Sequence, residues 1–177
     1  MKIKLIVAVS KNGIIGVNDD IPWYIPEDLK FFKNHTINKH VIMGRKTYEK
    51  LPEKAKLNRQ YLVVGTTPVS GAIQFFDIKS LMHFLLLNRQ KINEVYIAGG
   101  TQIYKNFLEL CDKIILTLVD INIDDTSKEN KEYHYFPLNK LRENFFIKRK
   151  TGWKKSKAGV LYQHQYFIPQ SKVINLV

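Results

Sequence analysis

The strongest constraint on this chain is an alternation of two hydrophobic periods. Residues 5–9, 41–43, 61–64 and 95–98 are short apolar runs rich in β-branched side chains, the composition of strands covered on both faces. Between them, residues 26–33, 46–50, 78–87 and 102–110 place apolar side chains three or four positions apart, as helices lying on a sheet do. Strands alternating with helices predict an α/β fold around a parallel sheet. The alternation stops after a further apolar run at 114–119. Segments 144–150 and 161–167 then flank the turn-forming residues 154–159, which predicts an antiparallel hairpin closing the sheet edge. Residues 124–134 are polar and charged and predict a solvated loop with no part in the core.

A chain of 177 residues is expected to form one domain over 1–177, with a core at about 4–167, the charged loop 124–134 and a short C-terminal extension 171–177. Apolar residues make up 45 % of it and charged residues 25 %, which excludes an intrinsically disordered class. No run approaches the roughly 18 apolar residues of a membrane span, and the apolar stretch near Met1 is too short for a secretory leader and reads as a first strand. Cys111 is the sole cysteine; in its apolar surroundings a buried free thiol is expected, and with it a reducing, cytoplasmic setting. The net charge is +12, and from Asn139 onward nine Lys or Arg face Glu143 alone. Such a field attracts anions, nucleic acid among them, but it is a weak functional signal by itself. His35, His40, His83, His134 and His164 have no metal-ligand spacing, so no metal site is expected.

Four segments carry chemistry. Asp28 follows Pro26 and Glu27 in the first turn of the helix over 26–33, where a carboxylate is favoured by helix-end electrostatics alone. Its neighbours Leu29, Phe31 and Phe32 and the preceding Pro22-Trp23 favour a second role, because desolvation raises a carboxyl pKa and makes the group useful in proton transfer near neutral pH. The strand over 41–43 runs into Gly44-Arg45-Lys46-Thr47, and the strand over 61–64 into Gly65-Thr66-Thr67. Glycines, cations and hydroxyls at neighbouring strand ends suit a phosphate. The strand over 95–98 passes through Gly99-Gly100 into Thr101-Gln102-Ile103-Tyr104, glycines that let a ligand approach the backbone closely. The spacing is not G-x-G-x-x-G, so a standard Rossmann fingerprint is absent.

In this order, Ile15-Gly16, Pro22-Trp23, Pro26-Glu27-Asp28-Leu29, Phe32-Lys33, Val41 to Thr47, Arg59, Gly99-Gly100 and Ile103-Tyr104 resemble the dihydrofolate reductase family. The resemblance implies a mainly parallel eight-stranded sheet with an antiparallel C-terminal strand and about four flanking helices. It implies reduction of dihydrofolate, with a hydride passing from NADPH to C6 and a proton reaching N5. Asp28, Trp23 and Tyr104 would form the catalytic set. Substrate would meet Ile6, Val7, Asp28, Leu29, Phe32, Leu51 and Thr117, with Arg59 holding the glutamate tail in a bidentate fork. NADPH would lie against Ala8, Ile15, Gly16, Gly44, Arg45, Lys46, Thr47, Thr66, Gly99, Gly100, Thr101, Gln102, Ile103 and Tyr104. Arg45, Lys46 and Thr66 would meet the 2′-phosphate, and Gly99-Gly100 would be joined by a cis peptide. The loop over 16–23 would fold over the site to exclude water. The implied protein is a cytoplasmic monomer bound by antifolates such as methotrexate.

The sequence departs from the family pattern at Ala98, at Leu57-Asn58 before Arg59, and at the charged loop between Asp125-Thr126 and Tyr135-Phe136-Pro137. The related pyrimidine reductase of riboflavin synthesis is the nearest alternative, and Pro22-Trp23 with Asp28 argues against it. From another class, a nucleic-acid-binding module could use the basic C-terminal part with Trp153, Tyr162 and Tyr166.

Overall fold

A computed structural model describes residues 1–18, 20–126 and 130–171; most of the predicted extension 171–177, part of the loop 124–134 and Asp19 lie outside them. In chain order the elements are β1 (Lys2–Ser10), β2 (Ile14–Val17), α1 (Pro26–Thr36), β3 (His40–Gly44), α2 (Arg45–Glu49), α3 (Glu53–Lys56), β4 (Gln60–Val64), β5 (Ile73–Phe75) and α4 (Ile78–Leu87). Then come β6 (Glu94–Ile97), α5 (Thr101–Phe107), a 3₁₀ turn at Leu108–Leu110, β7 (Lys113–Val119), β8 (Tyr133–Tyr135), α6 (Leu138–Asn144), β9 (Phe145–Lys150), β10 (Lys154–Lys155) and β11 (Leu161–Pro169).

The main sheet runs β10-β11-β7-β1-β6-β3-β4-β5, with β9 also on β11. The strands from β7 to β5 are parallel, and β11 is antiparallel to β7. Because β9 and β10 pair with successive parts of β11, they act as one interrupted edge strand, and the expected eight-stranded sheet results. Lys154 and Lys155, expected in the hairpin turn, belong to this edge; the turn closes at Ser156 and Gly159 through the Gly159 N–H to Ser156 oxygen bond of 2.9 Å.

Side chains of a strand alternate between faces, and the core divides accordingly. Leu5, Val7 and Val9 join Ile42, Leu62, Val95, Ile97, Leu116 and the buried Leu81 and Leu85 of α4 on one face. On the other, Ile6, Tyr96 and Ile115 pack against Phe31 and Phe32 of α1, and Val41, Met43, Tyr61 and Val63 pack around Tyr48. The same alternation places Thr117 two residues beyond Ile115, toward α1. In register, Ala8, Thr117 and His164 lie side by side on β1, β7 and β11.

Three short strands and two short helices were not legible in the hydrophobic pattern, among them β8. Residues Tyr133 and His134, expected in a solvated loop with no part in the core, instead form a strand paired with β2: Gly16 lies opposite His134 and Val17 opposite Tyr133. Asn18 and Glu132 fasten the junction, the Asn18 N–H donating to the Glu132 carbonyl at 2.8 Å and the Glu132 N–H to Asn18 Oδ1 at 2.9 Å. Cys111 is buried and free, and burial pushes its thiol pKa far up. Among the described residues no helix is long and apolar enough to cross a membrane, and no group of three or more His, Cys, Asp or Glu is placed to hold a metal ion.

Candidate active site

Helix α1 starts with Pro26 at its first turn and has no side-chain cap, so its acids are free to do other work. Glu27 accepts the Lys157 N–H at 3.0 Å. Asp28 turns toward the sheet, where Thr117 Oγ1 donates to its Oδ1 at 2.6 Å. Burial holds the Asp28 carboxyl above the usual carboxylate range, and the Thr117 hydrogen bond works against that shift. A carboxyl whose ionised form is penalised by desolvation holds its proton to higher pH than an ordinary carboxyl does, and one donor limits that shift.

Around it, Ile6 is buried and Phe31 and Phe32 are partly buried on the same face. Leu29 stands at the mouth, 53 % exposed, and Leu51 is half-buried beside the Tyr48 cluster. Val7, placed with the substrate residues on sequence grounds, directs its side chain into the opposite core with Leu5 and Val9. Trp23 packs, partly buried, with Ile25, Val119 and Tyr162 near the start of α1. Tyr104 is buried, donates to the Ile6 carbonyl at 3.0 Å and has its pKa driven far up by burial, with the Asp28 charge adding to the effect. It is therefore a neutral donor that fixes the β1 backbone beside the acid.

Arg59 follows Asn58, whose φ of 56° is a left-handed conformation that Asn adopts more readily than most residues. The Arg59 Nε donates to Thr36 Oγ1 at 2.8 Å and Nη1 to the Ala55 carbonyl at 2.6 Å, and the guanidinium lies 5.6 Å from the Phe32 ring centroid. With Nε and Nη1 engaged the guanidinium is held in place, and none of these bonds uses Nη2 or competes there with a carboxylate.

The glycines gather at the carboxyl ends of β3 and β6. The Gly99–Gly100 peptide is cis, and the Gly44 N–H donates to the Gly99 carbonyl at 2.8 Å. A Cβ on Gly100 would lie 3.2 Å from Thr47 Oγ1, one on Gly99 3.3 Å from the Tyr104 hydroxyl, and one on Gly44 3.7 Å from Ile103. Thr101 Oγ1 is buried without a hydrogen-bond partner among the described residues, which is costly unless a ligand supplies one. This cradle fits the phosphates of a dinucleotide. Arg45 adjoins the end of β4, where a Cβ on Gly65 would come within 2.6 Å of its own Cβ, and its Nη1 meets Glu49 at 2.6 Å. Lys46, Thr66 and Gln102 are exposed nearby in sequence. At the nicotinamide end, Ala8 lies in register with Thr117, Ile15 packs on the main core, and Gly16 is buried, a Cβ there meeting His134 at 3.3 Å. Sequence reasoning missed Thr36 and His164 as partners of Arg59 and Thr117; only strand register and turn geometry bring them together. A separate surface cleft of about 560 Å³, lined by Lys11, Gly13, Lys105, Pro137 and Arg142 among others, includes none of these residues.

A family model described as dihydrofolate reductase matches residues 2–162. The chain belongs to the dihydrofolate reductase family. It is 41 % identical over 140 residues to a dihydrofolate reductase of Buchnera aphidicola from Acyrthosiphon pisum, covering 77 % of this chain and 84 % of that one. It is 38 % identical to the Neisseria gonorrhoeae dihydrofolate reductase over 124 residues, 70 % of this chain and 76 % of the relative. The fold matches that of a dihydrofolate reductase from Enterococcus faecalis, solved with NADP(H) and RAB-propyl, at a TM-score of 0.77, 20 % identity and 96 % coverage of each chain.

Proposed function

We propose that this dihydrofolate reductase family member reduces 7,8-dihydrofolate to 5,6,7,8-tetrahydrofolate with NADPH, and that Asp28 is the group that grips the pterin and governs protonation at N5. The reading is carried by one observation: a desolvated carboxyl on α1 is held by Thr117 at 2.6 Å, and its charge reaches Tyr104, whose hydroxyl a Cβ on Gly99 would meet at 3.3 Å. NADPH, when bound, supplies the hydride. Asp28 accepts hydrogen bonds from the amidine-like edge of the pterin, and its raised proton affinity lets it feed a proton toward N5 by way of water or the pterin's own tautomers. Tyr104 stays neutral and holds the β1 backbone and the cradle in one arrangement. Ile6, Phe32, Leu29 and Leu51 supply apolar walls, Arg59 holds the tail carboxylate, and the loop ending at Trp23 excludes water. Gly44, Thr47, Gly99, Gly100, Thr101 and Ile103 would hold the pyrophosphate, with Arg45, Lys46 and Thr66 on the 2′-phosphate.

We read the chain as one domain, a cytoplasmic monomer that also binds antifolates. Spectrophotometric measurement of NADPH oxidation with dihydrofolate, with and without methotrexate, tests the function. Methotrexate-sensitive turnover is expected; folded protein that oxidises no NADPH in the presence of dihydrofolate refutes it.

A further inference from the structure

The Thr117 hydroxyl has two neighbours. Besides donating to Asp28 Oδ1 at 2.6 Å, it lies 3.1 Å from Nδ1 of His164 on β11. The contact follows from the register, since Thr117 and His164 are directly opposed residues of the antiparallel β7–β11 pair, and such opposed side chains are the closest partners across a sheet. His164 is buried and closely held. Its ring stacks on Phe31 of α1 at a centroid distance of 3.8 Å and 14°, and Tyr162 meets it edge-on. Its backbone N–H donates to Thr151 Oγ1 at 3.1 Å, and its carbonyl accepts the Thr151 N–H at 2.9 Å. The stacking partner Phe31 is three residues from Asp28 on α1, so one helix positions both ends of the chain of contacts.

A threonine hydroxyl has one proton to give and lone pairs to receive. An ionised carboxylate only accepts, so while Asp28 is charged the Thr117 proton must point to it, and His164 must approach Thr117 with an N–H. We propose that His164 is a positioning residue for the pterin-binding acid: its Nδ1–H donates to Thr117 Oγ1 and thereby fixes the hydroxyl proton on Asp28. The inference rests on Asp28 having the role proposed above, and it assigns the direction of the whole chain, His164 to Thr117 to Asp28. Each donor polarises the next, which makes the ionised carboxylate easier to sustain in its desolvated place.

The charged and titratable groups acting on the imidazole are Lys154 from β10 and His35 from α1, with Tyr162 of its own strand edge-on and Asp28 one hydrogen bond further on, beyond Thr117. Burial, with the charges of Lys154 and His35 adding to it, lowers the imidazole pKa to about 4. The ring is therefore neutral at neutral pH, and a neutral ring with its proton on Nδ1 can donate to Thr117 while Asp28 is ionised.

The test needs no coenzyme. Carbon-13 NMR of the Asp28 carboxyl in the ligand-free protein gives its titration midpoint directly. His164→Phe keeps the ring stacked on Phe31 and removes the donor; the midpoint should rise by about 0.2 pH unit, roughly 1.6-fold in proton affinity, as expected if fixing the hydroxyl strengthens a charge-assisted hydrogen bond by about a fifth. His164→Asn, whose amide can place an N–H near the same point, should restore most of the shift. In a Thr117→Val background His164→Phe should change nothing. An unchanged midpoint in His164→Phe, an equal rise in the Asn variant, or a rise that survives in the Thr117→Val background overturns the proposal. Nitrogen-15 NMR of the wild-type imidazole is independent of any variant's folding: the proton is expected on Nδ1, and a proton on Nε2 overturns the proposal. None of these readouts requires turnover, so a failed reductase assay would refute the function without deciding the hydrogen-bond chain.

Discussion

Thr117→Val isolates the interaction on which the site depends. The side chain is 2 % exposed and valine has nearly its shape, so the substitution removes the 2.6 Å hydrogen bond to Asp28 while leaving the packing of β7 in place. A hydrogen bond to an ionised acceptor contributes about 1.5–3 kcal/mol, and solvent reaching the partly buried Asp28 favours the lower end. At about 1.36 kcal/mol per pH unit, the ionisation of Asp28 should move up by roughly one unit. Burial already holds this carboxyl above its ordinary value; the variant removes the opposing effect. For an acid whose folded pKa is raised, the protonated form is the one the fold prefers. Stability from this group is full below the unfolded carboxyl pKa and is lost as pH rises through the folded pKa. The variant should lose that stability over a wider pH range than the wild type. The assay is the pH dependence of single-turnover hydride transfer at saturating NADPH and dihydrofolate. With Asp28 governing protonation at N5 as proposed, the rate falls as it loses its proton, so the limb should shift about one unit toward alkaline pH. A limb that stays put, or moves toward acid, would refute the reasoning.

Asp28→Asn should cut hydride transfer severely at neutral pH, with partial recovery in acid where substrate arrives protonated; an unchanged pH–rate profile would return Asp28 to a helix-start role. The same variant removes a charge that burial penalises, so it should be more stable than wild type at neutral pH by about 0.5–2 kcal/mol, with Tm higher by roughly 2–4 °C per kcal/mol. The gain should shrink below the unfolded carboxyl pKa, and calorimetry showing no gain at neutral pH would sink this ledger. Arg59→Ala should raise the KM for dihydrofolate by about tenfold or more, the size of a lost charge-assisted contact, and leave NADPH affinity unchanged. Equal losses for both ligands would mean that Arg59 does not read the tail. Gly65→Ala places a Cβ 2.6 Å from that of Arg45 and must displace it, so NADPH binding measured by fluorescence should weaken about tenfold while NADH binding changes little. If both coenzymes weaken alike, Arg45 does not recognise the 2′-phosphate.

The periodic segments were legible in the sequence because their apolar positions recur at 2 or 3.6 residues over enough length to bury a face. Helix α4 occupies Ile78–Leu87 and β4 Gln60–Val64, as the pattern anticipates to within a residue. The short pieces were not, and β8 is the instructive case: a three-residue strand has too few positions to display a period, and it is ordered by pairing with β2.

At the site, the sequence by itself determined which groups are available: two acids after Pro26, an arginine after Asn58, and glycines at three strand ends. It also determined the family, since those residues occur in a characteristic order. It could not decide whether Asp28 is a helix-start carboxylate or a pocket acid, because both readings use the same neighbours. Tertiary structure set Thr117, 89 residues away, against a carboxyl that burial desolvates, which favours the pocket acid. It also turned Val7 away from α1, and put His164 behind Thr117. Each outcome depends on the register between strands distant in the chain, and hydrogen bonds and desolvation act over a few ångströms in space, whatever the separation in sequence.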